Sequence, residues 1–408
     1  MRPDGEAEER PRWRSAALLA AAATLYLLLT APRSEGRDFS TYYAAGEMAR
    51  AGRAAEAFDR PALMAHYAER HGNKSAIGGF LYSPLYLAPA VAFARLPERD
   101  AERLDLTLSV LAFGAGLALV LARIGSLALR ALVSVAFVAC HAVAATLVFL
   151  NWTSWLFLGL ALALAAREAG RPWVAALGWG LVCHLKVFFA AVPAALAFAG
   201  ERRSAWRAAL LAALLAVATL PFVGWTSYLA WARALREAGR LGVLPLFNAI
   251  SLPAATARFL VPPWRWLASP DGVASAWVTS AEVAAVGLAL WAVWRNRRHA
   301  ERCAGAALAG LLLAVPLAWD HLTVLLFLLV PSLPRRGAAA LATGLAATHG
   351  YRWLSGLALR ESFAQAWSPV AGALALSCYP LAISALLVGL ALFPGKAPAA
   401  GDSAVEHA

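Results

Sequence analysis

Long apolar runs separated by short arginine clusters set the frame of this chain. Runs at 15–31, 104–122, 131–150, 155–166, 205–223, 276–294, 303–316, 322–333, 337–357 and 370–393 carry few charges and do not alternate. They predict membrane helices rather than barrel strands. Between them stand Arg123 and Arg130, Arg167 and Arg171, Arg202, Arg203 and Arg207, Arg295, Arg297 and Arg298, and Arg335 and Arg336, where cytoplasmic loops should carry them. The expectation is an all-α polytopic membrane protein with about ten spanning helices. The run 173–199 is basic on both flanks, which predicts a helical hairpin with His184, Leu185 and Lys186 near its tip. One long tilted helix is the alternative, and it would invert everything downstream.

One polar stretch, 32–84, interrupts this pattern early. It opens the first extracytoplasmic loop, 32–103, which is far longer than two helices need. Long loops that carry acids and tyrosines more often hold function than mere linkage. Within it, 38–51 has apolar residues at helical spacing (Phe39, Tyr42, Tyr43, Met48), and so does 61–67, so both predict short surface helices stopped by Gly52 and Gly72. The run 84–96 is punctuated by Pro84 and Pro89, is too short to span about 30 Å, and predicts a dipping helix. A second large outer loop is expected at 224–275. Residues 1–14 read as a cytoplasmic tail, 15–393 as one transmembrane domain and 394–408 as a disordered cytoplasmic tail.

Composition agrees with the pattern. The chain has 408 residues, 61% of them hydrophobic and only 15% charged, below the quarter usual for soluble domains. Its net charge of +12 could suggest nucleic-acid binding, but arginines confined to short clusters between apolar runs argue for loops instead. Cys140, Cys183, Cys303 and Cys378 are scattered without a CxxC pair and read as small core residues. No glycine-rich phosphate loop, GxSxG or HExxH is present, so no soluble nucleotide site is expected and any donor should arrive through the membrane.

The unusual polar residues gather on the outer side of this threading: Asp38, Tyr42, Tyr82, Asn151, Asn248, Ser251, Trp319, Asp320 and His321. Asp38 can serve as a general base or metal ligand, or simply cap the helix that follows. Lys186 is a charge inside an apolar stretch, which points to a lipid phosphate or carboxylate partner, with snorkelling to the interface as the plain alternative. His184, two residues away, reads as structural. Asp320 and His321 could bind a phosphate or sugar, or cap a helix at the interface. Asn248 and Ser251 could contact an acceptor, but capping of the segment from Leu252 is the better reading.

The ordered set resembles a family. Asp38-Phe39-x-x-Tyr42-Tyr43-x-Ala45-Gly46 follows the first helix. Tyr82-Ser83-Pro84-Leu85 comes next, then the stretch from Gly178 to Lys186, Asn248 to Leu252, and Pro316-x-x-Trp319-x-His321. Together they are similar to glycosyltransferase family 87, membrane mannosyltransferases of the GT-C fold class. The resemblance implies transfer of a hexose, mannose by preference, from a polyprenyl-phosphate donor to a lipid or glycan hydroxyl. The reaction would invert the sugar and take place on the extracytoplasmic face of the plasma (inner) membrane.

In that scheme Asp38 is the general base, and Lys186 and His321 face the donor phosphate. Tyr42, Tyr82, Asn248, Ser251, Trp319 and Asp320 line the substrate. Two departures stand out: Ser83 replaces a common proline, and Asn151 stands where a Gly-Gln pair is expected. Asp38 is not part of a DxD pair, so no cofactor is assigned and a divalent metal stays open. A transporter or flippase of lipid-linked sugars is the competing reading. It should show internal repeats, which the sequence lacks. A non-catalytic envelope scaffold is the third.

Overall fold

The computed structural model describes residues 4–31, 37–72, 79–240, 242–246, 248–262, 265, 272–316, 318–350, 373–374 and 376–394. Among them the chain is mainly helical, with no strand and two isolated bridges, Val243 with Val273 and Ala249 with Trp319. Parts of the expected runs 337–357 and 370–393, and the expected tail from 395, lie outside the described residues.

Helix α1 (Asp4–Thr30) absorbs most of the expected polar tail. The first loop holds α2 (Arg37–Arg50) and α3 (Arg60–His71), then a 3₁₀ turn at Pro84–Tyr86 and α4 (Leu87–Phe93). Asp59 caps α3 by accepting from the Ala62 amide, and Pro61 stands in its first turn. Helix α2 lies tightly on α4: a side chain at Gly46 would collide with the Ala90 carbonyl, so only glycine allows this approach. Helix α5 (Glu98–Ala122) begins earlier than the apolar run did.

The expected single span 131–150 is two helices, α6 (Leu127–Ala139) and α7 (His141–Phe149), bent by 43° at Cys140. Arg130, expected in a cytoplasmic turn, is buried inside α6. Its guanidinium caps the Ile124 and Gly125 carbonyls and bonds Ser15 of α1. Next come α8 (Thr153–Glu168), α9 (Pro172–Leu185), a 3₁₀ segment at Val187–Ala190 and α10 (Ala191–Phe198). The chain turns at Lys186, and the feet of this segment meet where Arg167, just before α9, pairs with Glu201, just after α10.

Helix α11 (Arg202–Arg240) is broken at Gly224, whose φ of 74° and ψ of 157° lie outside the helical region. Beyond the break it folds back, so that the Tyr228 hydroxyl bonds Thr219 and the Ala216 carbonyl. The expected outer loop 224–275 therefore starts with helix. It continues to α12 (Leu252–Phe259), then α13 (Ala276–Arg295) and α14 (Ala300–Ala314). The run 322–333 is a 3₁₀ helix, Asp320–Ser332, buried on all sides between α7, α8, α14 and α15 (Arg335–Ala347). Being apolar all round, it fits the centre of the bundle. Helix α16 (Cys378–Leu392) packs on α13 and α14.

Against about ten expected spans, four helices among the described residues are long and apolar enough to cross a membrane, or five if α6 and α7 form one bent span. The shorter apolar helices include α9, α10, Asp320–Ser332 and α16. On α11, Phe222 is 84% exposed and Trp206 68%, a degree of apolar exposure that suits lipid rather than water. All four cysteines are free. Cys140 and Cys303 are buried, but Cys378 is exposed, against the core position expected for it.

Candidate functional site

The site grows from the first turn of α2, where Asp38 complements the positive end of the helix. Its Oδ2 accepts from Asn151 Nδ2 at 2.7 Å. Asn151 is held from both sides. Its Oδ1 accepts from the amide and hydroxyl of Thr153, at 3.1 and 2.7 Å, and its own amide donates to the Thr146 carbonyl. These bonds fix which end of the side-chain amide faces Asp38. The turn that presents it runs through Leu150, at φ 51° and ψ 51°, the one described non-glycine residue with positive φ.

Aromatic rings wall this acid. Trp152 lies 4.2 Å from the Tyr42 ring, 5.3 Å from Tyr82 and 5.6 Å from Tyr86, centroid to centroid. The Tyr42 and Tyr82 hydroxyls are hydrogen-bonded at 2.9 Å. Burial first, then Tyr82 and Asp38, push the Tyr42 phenol well above its ordinary value. Burial and then Asp38 do the same to Tyr82. Both rings therefore stay neutral at working pH and offer hydroxyls, not phenolates.

The segment carrying Tyr82 is pinned on three sides. The Ser83 amide donates to the His184 carbonyl at 3.2 Å, the Tyr86 hydroxyl to the Leu181 carbonyl at 3.0 Å, and the Trp231 indole to the Leu81 carbonyl at 3.1 Å. His184 Nε2 donates to the Ala212 carbonyl at 2.8 Å. In the neutral ring this leaves Nδ1 to accept from the Ser83 hydroxyl, also 2.8 Å away. The Ser83 departure is thus matched by a local partner, and His184 is structural as expected.

Lys186 stands at the break between α9 and the following 3₁₀ segment, its Nζ 5.2 Å above the Tyr82 ring. It has no ion-pair partner among the described residues, yet it lies within electrostatic reach of Asp38 on one side and His321 on the other. Beyond it, His141 Nε2 donates to Asp320 Oδ2 at 3.0 Å. Asp320 Oδ1 and His321 Nε2 are buried without a hydrogen-bond partner among the described residues. Polar atoms in that condition mark a place where the protein has left hydrogen-bonding capacity unused.

The structure therefore brings Asp38, Tyr42, Tyr82 and Lys186 into one cluster, with Asp320 and His321 adjoining it. The other three expected contacts serve the fold. The Ser251 hydroxyl caps α12 through the Ala254 amide at 3.4 Å. Asn248 contributes its backbone, accepting from the Asp320 amide at 2.8 Å. The Trp319 ring packs against the small cluster of Val243, Ala249, Ala254, Ala257 and Val278.

Three further residues join the site. Asn151 was counted among the unusual outer-face residues and as a departure from the family pattern, but was given no role at the site, and Trp152 was given none either. Asp105, fully buried about two turns inside α5, was passed over altogether. Its signal was legible: a lone acid just inside an apolar run. His141 carried no such signal. Among the described residues no group of three or more His, Cys, Asp and Glu side chains is placed to hold a metal ion.

Chemically the cluster offers a carboxylate oriented by an amide donor, a neutral aromatic wall and an unpaired ammonium. That combination suits proton removal from a hydroxyl beside a site for negative charge. The model of glycosyltransferase family 87 matches residues 80–318, more than half of the chain. No curated protein and no solved structure matches. The matched span contains Tyr82, Asn151 and Lys186. Asp38 and Tyr42 precede it, and Asp320 and His321 follow it.

Proposed function

The chain belongs to glycosyltransferase family 87, and from that premise we propose that it moves a hexose, mannose in our reading, from a polyprenyl phosphate to a lipid or glycan hydroxyl on the extracytoplasmic face. The observation that carries the reading is the 2.7 Å bond from Asn151 to Asp38. It ties the first-loop acid to a residue of the family-matched segment, within reach of Lys186. Asp38 takes the proton of the acceptor hydroxyl as its oxygen attacks the anomeric carbon. The bond to the polyprenyl phosphate breaks on the opposite face, so configuration inverts. Lys186 and His321 meet the departing phosphate, whose growing negative charge an unpaired ammonium stabilises. Tyr42, Tyr82 and Trp152 supply flat apolar faces with hydroxyl edges, which suit a sugar ring. In this reading the fold is of the GT-C class, spans the plasma membrane and works at its outer face.

The flippase alternative needs matched halves with broken helices. Among the described residues the breaks at Cys140, Lys186 and Gly224 form no such pairing. The direct test supplies the full chain in nanodiscs with radiolabelled polyprenyl-phosphate-mannose or with a labelled nucleotide sugar, each with a host lipid extract. Label should pass to lipid from the first donor alone. Equal transfer from the nucleotide sugar, or protein-dependent movement of intact donor between leaflets without transfer, contradicts the reading.

A further inference from the structure

Asp105 is an expensive residue without an assigned task. It is completely buried, and neither carboxylate oxygen has a hydrogen-bond partner within standard geometry among the described residues. A lone carboxyl group in an apolar interior is strongly unfavourable. The Trp152 indole N–H, equally buried and without a hydrogen-bond partner among the described residues, lies within interaction range of it, and the Tyr42 and Tyr82 hydroxyls lie within its electrostatic reach. Helices α5 and α8 run parallel, since Arg123 after α5 meets Glu168 at the end of α8. Asp105 therefore stands level with the start of α8. The two residues that lead into α8 thus lie toward two different acids: Asn151 donates to Asp38, and the buried Trp152 N–H lies within reach of Asp105. The turn before them needs a hold, because Leu150 is left-handed without being glycine.

We infer that Asp105 is a positioning residue: it holds the Trp152 indole, and through the Asn151–Trp152 turn it keeps the Asn151 amide aimed at Asp38. The inference rests on the function proposed above. Asp105 touches no substrate in it. Its effect passes along two adjacent residues to the carboxylate that takes the proton, and small misplacements of such groups cost rate steeply.

The experiment compares full-length Asp105→Leu, Asp105→Asn, Trp152→Phe and the double variant Asp105→Leu/Trp152→Phe in nanodiscs. Thermal midpoint, kcat, donor KM and the pH profile of label transfer are measured for each. Asp105→Leu should not lower the midpoint, since a buried carboxylate leaves. It should lower kcat about 30-fold with donor KM unchanged, and move the acid limb of the profile to higher pH as Asp38 loses its amide donor. Asp105→Asn, whose amide oxygen still accepts from the indole, should stay within about three-fold of wild type. Trp152→Phe, which also alters the sugar-facing wall, should lower kcat and move the acid limb as Asp105→Leu does, and in kcat and acid limb the double variant should be no worse than Trp152→Phe alone, as coupled residues behave.

Wild-type kcat and pH profile in Asp105→Leu overturn the inference. So do multiplicative losses in the double variant, Asp105→Asn as impaired as Asp105→Leu, or a kcat loss that merely follows a lowered midpoint. If wild type transfers no label, the proposed function fails and the thermal midpoints alone judge the Asp105–Trp152 contact. Non-additive midpoints then support it, and additive ones overturn it.

Discussion

The two ends of α5 and α8 treat charge in opposite ways. At their C-terminal ends Arg123 reaches Glu168 and Glu301, while Arg167 reaches Glu201 and, at 3.9 Å, Glu301. Two cations and three acids drawn from separate segments hold one another, and only Arg123 Nη1 is left over. At the N-terminal ends, among the described residues, Asp320 Oδ1 and His321 Nε2 are buried without hydrogen-bond partners, and Lys186 has no ion pair. The same helices could have been sealed at both ends. One end is spent on cohesion, and the other keeps its polar groups available. That contrast teaches more about function than the count of charges at either end, because structural charges are matched and working ones are held in reserve.

The comparison can be broken most sharply at Lys186. Lys186→Met should lower kcat/KM for the lipid donor about 10²–10³-fold, the scale of losing one fixed stabiliser of developing charge. The thermal midpoint should not fall, because no described ion pair is lost. A fall in midpoint with normal kinetics would make Lys186 structural. Asn151→Leu comes next, with about a ten- to hundred-fold loss of kcat. Its acid limb should move to higher pH, since a carboxylate deprived of a donor holds its proton more tightly. An unmoved limb would separate Asn151 from the titrating group.

At the opposite end Arg123→Met should act on stability alone. It leaves Glu168 and Glu301 facing each other without their shared cation, a loss of about 1 kcal/mol because both acids stay partly open to solvent. The midpoint should drop while kcat per folded molecule stays within about two-fold. A selective kcat loss would erase the division between the two ends.

The smallest effect lies in the outer loop. There the Tyr67 hydroxyl donates to Glu98 Oε1 at 2.9 Å, and burial first and Glu98 second push its phenol up to about 12. The folded loop holds this proton more tightly than the unfolded chain, whose tyrosines titrate near 10. Its contribution is therefore complete below pH 10 and fades as pH rises toward 12. Tyr67→Phe should remove that alkaline step from the stability profile by a fraction of a kcal/mol, since the hydroxyl and Glu98 meet only partly shielded from solvent. An unchanged profile would assign the step elsewhere.

Much of this was legible in the chain. Helical spacing placed α2 and α3 within a residue or a few of their bounds, and the outer-face reading collected Asp38, Tyr42, Tyr82 and Lys186 before any contact was seen. Ser251 behaved as the cap its spacing suggested. Hydropathy could not show where a run breaks. Cys140 bends one apolar stretch, Gly224 folds another back, and Asp320–Ser332 tightens to 3₁₀, all in residues whose apolar character never changes. Nor could sequence spacing show Asn151 reaching Asp38 across 113 positions, or His141 reaching Asp320 across 179. Those pairings come from the parallel and antiparallel packing of distant helices, which local pattern does not encode.

The central claim is that Asp38 removes the acceptor proton. Asp38→Asn keeps the side-chain shape and removes the base. The measurement is label transfer from radiolabelled polyprenyl-phosphate-mannose to host lipid, in nanodiscs, with donor binding measured on the same samples. The account predicts intact donor binding and a kcat lowered about 10²–10⁴-fold, the range of a general base. Transfer at the wild-type rate by Asp38→Asn would contradict it.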